Sequence, residues 1–251
     1  MRRILGFIRE MGFDPKRFFK FLMGLPRYLA LLGQFFLKRR SLGKLKLAPI
    51  FSDFGDSAGS ADGHYFWQDL ICANWIYGES PKNHLDVGSR IDGFIAHLLS
   101  FRKVTMLDIR PMDKAIPNLN IAVGNAQEDL GPLKHSFESV SSLHSIEHFG
   151  LGRYGDPIDP LGHEKGLKNI SDCVASGGKL YVSFPIGEAV VEFNAQRIID
   201  PLWPVNQLPN FILEEFVMIP WKGQPVYGAK PAEVNKSING QCGLYIFRRV
   251  N

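Results

Sequence analysis

From His84 onwards, short apolar runs alternate with stretches of helical character, and this alternation narrows the possible folds more than any other feature of the chain. Strands are expected at His84–Val87, Val104–Asp108, Asn120–Val123, Ser139–Leu143 and Lys179–Phe184, with helices near Asp92–Phe101 and Gly162–Ala175 between them. Elements in that order build βαβ units and a mostly parallel sheet, an α/β fold. The pair Gly177-Gly178 is expected to stop the second of these helices just ahead of its strand. Ile212–Ile219 and Leu244–Arg248 read as two late strands that can pair as an antiparallel end to the sheet. A helix from about His64 to Tyr77 precedes the first strand, with Phe66, Leu70, Ile71, Trp75 and Ile76 as its apolar stripe.

The 251 residues suffice for one α/β domain plus an appendage, but not comfortably for two domains. Charge divides the chain unevenly. Residues 1–46 carry twelve Lys/Arg against two Asp/Glu, whereas the remaining 205 carry 17 against 23. Residues 1–47 are therefore read as a basic helical arm and 48–251 as the domain, with Ser52–Gly63 as a Ser/Asp/Gly-rich loop where it begins. Within the arm, Pro26 is expected to separate a helix carrying Phe18, Phe19, Phe21 and Leu22 from a second over Tyr28–Leu37 that ends in Lys38-Arg39-Arg40. No uncharged run reaches the ~18–20 residues a spanning helix needs. Two roles fit the arm: lying on an anionic membrane surface, or packing on protein. Its charges form no recognisable nucleic-acid-binding motif. No signal peptide is evident, since Arg9 and Glu10 break the first apolar run. Cys72, Cys173 and Cys242 are scattered and odd in number, which suits a reducing, cytoplasmic setting and gives no cysteine metal site.

The segment HLDVGSRIDGFIAHLL has the form strand, acid, glycine turn, helix. In a doubly wound sheet the first such turn lies at the carboxyl edge, where ligands bind. Gly88 lets the backbone approach a ligand, and the following helix offers free N–H groups. Asp86-Val-Gly88-Ser89-Arg90-Ile-Asp92-Gly93 resembles motif I of the class I S-adenosylmethionine-dependent methyltransferases, with Arg90 and Asp92 where the fuller pattern has glycines. Asp108 closes the next strand, and one carboxylate can accept both hydrogens of a cis-diol. By that resemblance the chain has a Rossmann-like fold and binds S-adenosylmethionine. Asp86, Gly88, Ser89 and Arg90 would stand in the first turn, Asp108 and Ile109 at the ribose, and Asn125 and Ala126 near the adenine.

Downstream, SSLHSIEHFGLGRYGDPIDPLGHEKG gathers polar residues around glycines. His144-Ser-Ile-Glu147-His148 matches H-x-x-E-H, an inverted zinc-peptidase motif, but that motif needs a helix to bring both histidines onto one face. The strand before it and the glycines after it oppose such a helix. The competing expectation turns His144, Glu147 and His148 into a pocket at the sheet edge, His148 serving as general base ahead of His144. Arg153, Tyr154, Asp156, Asp159 and His163 would line the substrate side, with Tyr65 ahead of motif I and Asn194 and Arg197 beyond the fifth strand. Density of this kind suits a hydroxyl-rich ligand such as a sugar.

GHYFWQDL, the DVGSRIDGFIAHL block, LDIRP, LHSIEHFGLGRYGDPID with GHEKG, and FPIG followed by VEFNAQR together resemble a family described only as domain of unknown function 268, across roughly residues 50–220. Arg90 and Asp92 belong to that family's pattern. The resemblance implies a methyltransferase-like domain and a glycan or nucleotide-sugar substrate in surface-polysaccharide biosynthesis; a place at the inner face of a membrane is an expectation from the basic arm, which the resemblance does not cover. The expected activity is O-methyl transfer to a sugar, nucleotide-sugar or glycan precursor without a metal. A catalytically inactive module that binds a glycan or a partner protein is the alternative.

Overall fold

The computed structural model describes residues 15–38, 45–51, 59 and 61–250. Most of the expected Ser52–Gly63 loop, the first fourteen residues and Arg39-Arg40 lie outside them. The chain forms two compact units, Met1–Ser60 and Ala61–Asn251.

In the first unit the helix α1 (Pro15–Lys38) continues through Pro26, where the sequence suggested a break. Proline removes one i→i−4 bond and crowds the preceding turn, which disfavours a helix interior. Phe51 packs against the helix on both sides of Pro26. Its ring packs edge-on against Phe21 at 4.8 Å and Tyr28 at 5.4 Å, over a buried Gly24 between them. Elsewhere α1 leaves Phe18, Phe19, Met23, Leu29, Phe36 and Leu37 exposed. Among the described residues, no helix is long and apolar enough to cross a membrane.

The second unit begins with α2 (His64–Glu79) and continues through β1 (His84–Val87), a π-turn at Ile91–Ile95 that runs into α3 (Ala96–Leu99), β2 (Val104–Asp108), β3 (Leu119–Val123) and β4 (Phe137–Leu143). After these come α4 (Gly162–Asp172), β5 (Val174–Ile186), a hairpin of β6 (Val190–Glu192) and β7 (Gln196–Ile198), α5 (Trp203–Gln207), β8 (Phe211–Pro220), β9 (Val226–Tyr227) and β10 (Gln241–Arg249). Eight strands form one sheet in the order β3-β2-β1-β4-β5-β10-β8-β9. The first five run parallel, and β10 inserts antiparallel between β5 and β8. This is the Rossmann-like α/β fold of class I methyltransferases, and the two late strands do pair antiparallel, as expected.

Both sheet faces are covered, which explains why the strands read as near-continuous apolar runs. Leu85, Val87, Leu180, Val182 and Phe184 pack with Leu167 and Ile170 of α4 on one side. Val104, Met106, Tyr181, Leu244 and Ile246 pack with Ile71 and Ile76 of α2 on the other. The stripe of α2 departs from expectation. Ile71 and Ile76 are buried, but Phe66 is exposed, and Gln68 and Asp69 take places in the core. Their polarity is satisfied there: the Ser183 hydroxyl donates to Gln68 Oε1 at 2.6 Å, and Gln68 Nε2 donates to Asp69 at 3.2 Å.

Two further boundaries differ. The helix expected over Asp92–Phe101 opens as a π-turn, with Gly93 seated against the Asp69 carboxylate so closely that a side chain there would collide. The helix expected to reach Ala175 ends at Asp172, and Gly177-Gly178 lie inside β5 rather than before it. Phe137 pairs with Val174 but Ser139 with Lys179, so the extra residues loop out at this point, with Gly177 at φ 73°. Glycine marks a bulge here instead of a helix stop.

Candidate active site

Strand order reverses where β1 lies between β2 and β4, and the loops leaving the carboxyl ends of β1 to β4 converge on one cleft. Gly88, Arg90, Asp108, Ile109, Arg110, Asn125, Ala126, Tyr65, Tyr154, Asp156, His144 and His148 all line it. Eight of the expected cofactor and catalytic positions thus share one wall system with three expected substrate positions.

Two expected cofactor residues stand behind the wall. Asp86 is fully buried, and its carboxylate accepts from Ser89 N at 3.0 Å, Ser89 Oγ at 2.6 Å and Ser141 Oγ at 2.6 Å. Burial raises its pKa to about 6 in spite of those donors. Ser89 Oγ in turn accepts from Leu143 N at 3.0 Å, which ties the turn after β1 to the end of β4. Asp86 and Ser89 therefore shape the cleft without lining it. Gly88, at φ 72°, leaves room for the Ser145 side chain.

Asp108 sits at the mouth, and Arg110 grips it. The guanidinium donates from Nε to Oδ1 at 2.9 Å and from its NH2 group to Oδ2 at 2.8 Å, and the Arg110 backbone N–H adds a third bond at 2.8 Å. Arg110 also lies 4.6 Å over the Tyr154 ring, while Arg90 lies 5.1 Å over Tyr65. These two cation–π pairs crowd the cleft to about 130 Å³. Arg110 carried no sequence signal beyond its place after Asp108.

The H-x-x-E-H residues do not form a helix. His144 ends β4 with φ 49°, and Ile146–His148 make one 3-10 turn, so the peptidase geometry is absent and the turn into a pocket is present. Glu147 is wholly buried between the histidines, with Oε1 2.7 Å from His144 Nδ1 and 3.7 Å from His148 Nε2. A carboxylate accepts, so in the neutral form of His144 the proton sits on Nδ1 and the lone pair on Nε2. Burial works against charge on His144, but Cys242 and Glu147 outweigh it and push the pKa up. His148 differs. Its Nδ1 lies 2.7 Å from the Ala195 carbonyl, which can only accept, so its Nε2 carries the lone pair. Burial holds the pKa of His148 below the ordinary imidazole value.

The remaining expected substrate residues scatter. Asp156 lines the cleft but spends its carboxylate on Gly150 N at 2.6 Å and Tyr154 N at 3.3 Å. Asp159 pairs with Lys165. Arg153 donates to the Ala195 carbonyl at 3.0 Å. Arg197 is buried and pins the Phe149 and Pro160 carbonyls, and His163 faces Trp203 with ring centroids 5.1 Å apart. Asn194 turns the exposed β6–β7 hairpin at φ 63°. Apart from Asp156, these positions do not line the cleft.

A larger cavity of about 640 Å³ adjoins the first and shares Tyr65 and His144 with it. His64, Glu188, Gln196, Trp221, Lys236 and Gln241 lie on its walls. Sequence spacing gave no hint of Trp221 or Lys236, because both come from the loops around β9, far along the chain.

A family described as "Caenorhabditis protein of unknown function, DUF268" matches residues 114–204. No curated protein matches the chain in sequence. Among solved structures, the N-methyltransferase NodS from Bradyrhizobium japonicum WM9 in complex with S-adenosyl-L-homocysteine is 14% identical, with a TM-score of 0.51 over 76% of this chain and 90% of that one. The 1,6-didemethyltoxoflavin-N1-methyltransferase of Burkholderia thailandensis, bound to 1,6-didemethyltoxoflavin and S-adenosylhomocysteine, is 12% identical, with a TM-score of 0.53 over 73% and 79%. The methyltransferase domain of bacterial CtHen1-CN is 12% identical, with a TM-score of 0.51 over 74% and 100%. At such identities the likeness establishes the fold.

The loop after β4 permits a direct check. Gly150 and Gly155 both have positive φ, near 80°, but a side chain at Gly150 would meet the Asp159 carbonyl while one at Gly155 meets nothing. Gly155→Ala should cost the ~1–2 kcal/mol of left-handed strain alone. Gly150→Ala should cost clearly more in urea unfolding; equal losses would show that the Gly150–Asp159 contact does not hold the loop.

Proposed function

We propose that the protein is an S-adenosylmethionine-dependent O-methyltransferase acting on a sugar, nucleotide-sugar or surface-glycan precursor, with His148 as general base. The observation that carries this reading is the meeting of Gly88, Asp108, Asn125 and His148 in one cleft at the carboxyl edge of the sheet. The donor set fits the cofactor. The Asp108 carboxylate suits a ribose diol, Val87, Leu107 and Ala126 offer an apolar slot for a flat heterocycle, and Asn125 and Gln127 supply amides at its rim. When bound, the cofactor supplies an electrophilic methyl group.

The chain's own part is alignment and proton transfer. At about 130 Å³ the cleft is smaller than the ~300 Å³ at which ligand pockets begin, so binding requires the Arg90–Tyr65 and Arg110–Tyr154 pairs to part. Arg110 must also release one edge of Asp108 to a diol. Both arginines are more than half exposed, which lets them swing into water at little cost. His148 Nε2, neutral because burial lowers its pKa, then takes the proton of an acceptor hydroxyl. His144, driven toward its charged form, is the poorer base. Proximity supplies much of the rate. The larger cavity supports a sugar acceptor: Trp221 offers a flat apolar face, while Glu188, Lys236 and Gln241 offer hydroxyl partners.

The same Arg110–Asp108 grip favours a second reading, an inactive module that binds a glycan or a partner protein. Calorimetric titration with S-adenosylmethionine and S-adenosylhomocysteine separates the two. Micromolar binding that Asp108→Ala abolishes supports the enzyme; no binding at millimolar ligand favours the module.

His148→Ala should reduce turnover by 10²–10⁴-fold with cofactor affinity nearly unchanged. In the parent protein kcat/KM should fall with acid through an apparent pKa below ~6.5, since burial displaces the titration downward. Unaltered turnover in the variant would remove the assignment.

The arm extends the proposal to a cytoplasmic protein held peripherally at the inner membrane face, with the exposed phenylalanines of α1 at the acyl boundary. Flotation with anionic liposomes should be lost on removing residues 1–46; unchanged flotation would exclude the arm as anchor.

A further inference from the structure

His64, at the start of α2, His144, at the end of β4, and Cys242, on β10, come from three distant parts of the chain, yet their ligand atoms all lie within 4.8 Å of one another. We propose that these three side chains form a divalent transition-metal site, best suited to zinc. No metal was expected from the sequence, because the only metal pattern in it was the H-x-x-E-H run.

The hydrogen bonds around the three residues are those of histidines prepared for a metal. A metal-binding imidazole commonly donates its second ring N–H to a carboxylate or a backbone carbonyl, which fixes the tautomer and aims the lone pair. His144 gives Nδ1–H to Glu147 at 2.7 Å, and its Nε2 is buried without a hydrogen-bond partner. His64 gives Nε2–H to the Gly240 carbonyl at 3.1 Å, leaving Nδ1 as its lone-pair nitrogen. The two rings are parallel within 5°, with centroids 5.5 Å apart, so the two histidines stand side by side. Cys242 is fully buried and interacts with His144, and its sulfur otherwise has only distant partners, Gln68 Oε1 at 3.8 Å and the Gly243 carbonyl at 3.7 Å.

Two imidazoles and a thiolate form a soft N₂S set, which selects zinc over magnesium or calcium. Three protein ligands leave a tetrahedral ion one open position, the arrangement of a catalytic rather than a structural zinc. His64 and His144 both line the larger cavity, so that position faces it and takes an oxygen of water or of a hydroxyl bound there. Of the two histidines in the H-x-x-E-H run, the site uses His144 and leaves His148. The site stands independently of the methyl-transfer reading.

The test uses the full chain, without a polyhistidine tag, reduced and stripped of metal, with cobalt(II) as the spectroscopic probe. One equivalent should bind with a thiolate-to-cobalt charge-transfer band, and added zinc should displace it. Cys242→Ser, nearly isosteric, should delete the band. His64→Ala should weaken binding, and Glu147→Gln should do so by roughly 10–100-fold through loss of the His144 orientation. His148→Ala should leave stoichiometry and spectrum unchanged. Circular dichroism on each variant confirms that it is folded. The proposal is overturned by a folded parent protein that shows no thiolate band, by a band that survives Cys242→Ser, or by binding lost in His148→Ala and retained in His64→Ala.

Discussion

A buried chain of hydrogen bonds between β1 and β4 underlies everything at the carboxyl edge. His84 bridges Ser139 and Ser141 at 2.7 and 3.0 Å, Ser141 and Ser89 both donate to Asp86, and Ser89 receives the Leu143 N–H. Ser142 adds a bond to the Val87 carbonyl at 2.9 Å. An unpartnered carboxylate at this depth would cost several kcal/mol, so the network must be complete to be tolerable. Completeness makes it specific: a slip between β1 and β4 would orphan Asp86, His84 and the serines together. Burial takes His84 down to about 3, keeping it neutral and able to link two hydroxyls. The turn at Gly88 and the exit of β4 at His144 are held in place by the same bonds.

From that anchor the chain leaves β4 in a strained conformation, with His144 at φ 49°. Such strain persists only where the surroundings over-determine it, and it gathers at functional sites. Here Leu143 is held from behind by Ser89, the His144 N–H by the Ser183 carbonyl at 2.9 Å, and the imidazole by Glu147. The consequence is a pair of histidines four residues apart with opposite electrostatic fates. His144 meets Cys242 and Glu147, which outweigh its burial and drive it toward charge, whereas burial drives His148 toward neutrality against the pull of Glu147 and the Ala195 carbonyl. One motif thus provides two chemically distinct imidazoles, and the difference comes from their partners rather than from their spacing.

The polar residues after β4 show why density alone is a poor guide to a binding surface. Asp156, Asp159 and Arg197 are bound to backbone groups, because a loop rich in glycine has many peptide groups and few regular bonds to satisfy them. Charged side chains do that work at Gly150, Leu161, Phe149 and Pro160. Side chains that do line cavities, such as Arg110 and Trp221, stand alone in sequence and had nothing to mark them.

Local pattern was enough to specify the α/β class, the five leading strands within about two residues at their starts and ends apart from the long β5, and the placement of Gly88, Asp108, Asn125 and the H-x-x-E-H run at one sheet edge. Strand burial and chain order are written in apolar periodicity and turn residues, which act over a few positions. Tertiary structure alone decided that Pro26 stays inside a helix, that Gly177-Gly178 form a bulge, that Asp86 faces inward, and that His64 and Cys242 close on His144. Each of these depends on what packs against the residue from far along the chain: Phe51 across Pro26, β4 beside the glycines, Ser141 over Asp86, and the meeting of α2 with β10. Contacts between residues tens to almost two hundred positions apart leave no mark in the spacing of one sequence, because their energy exists only once the sheet has brought them together.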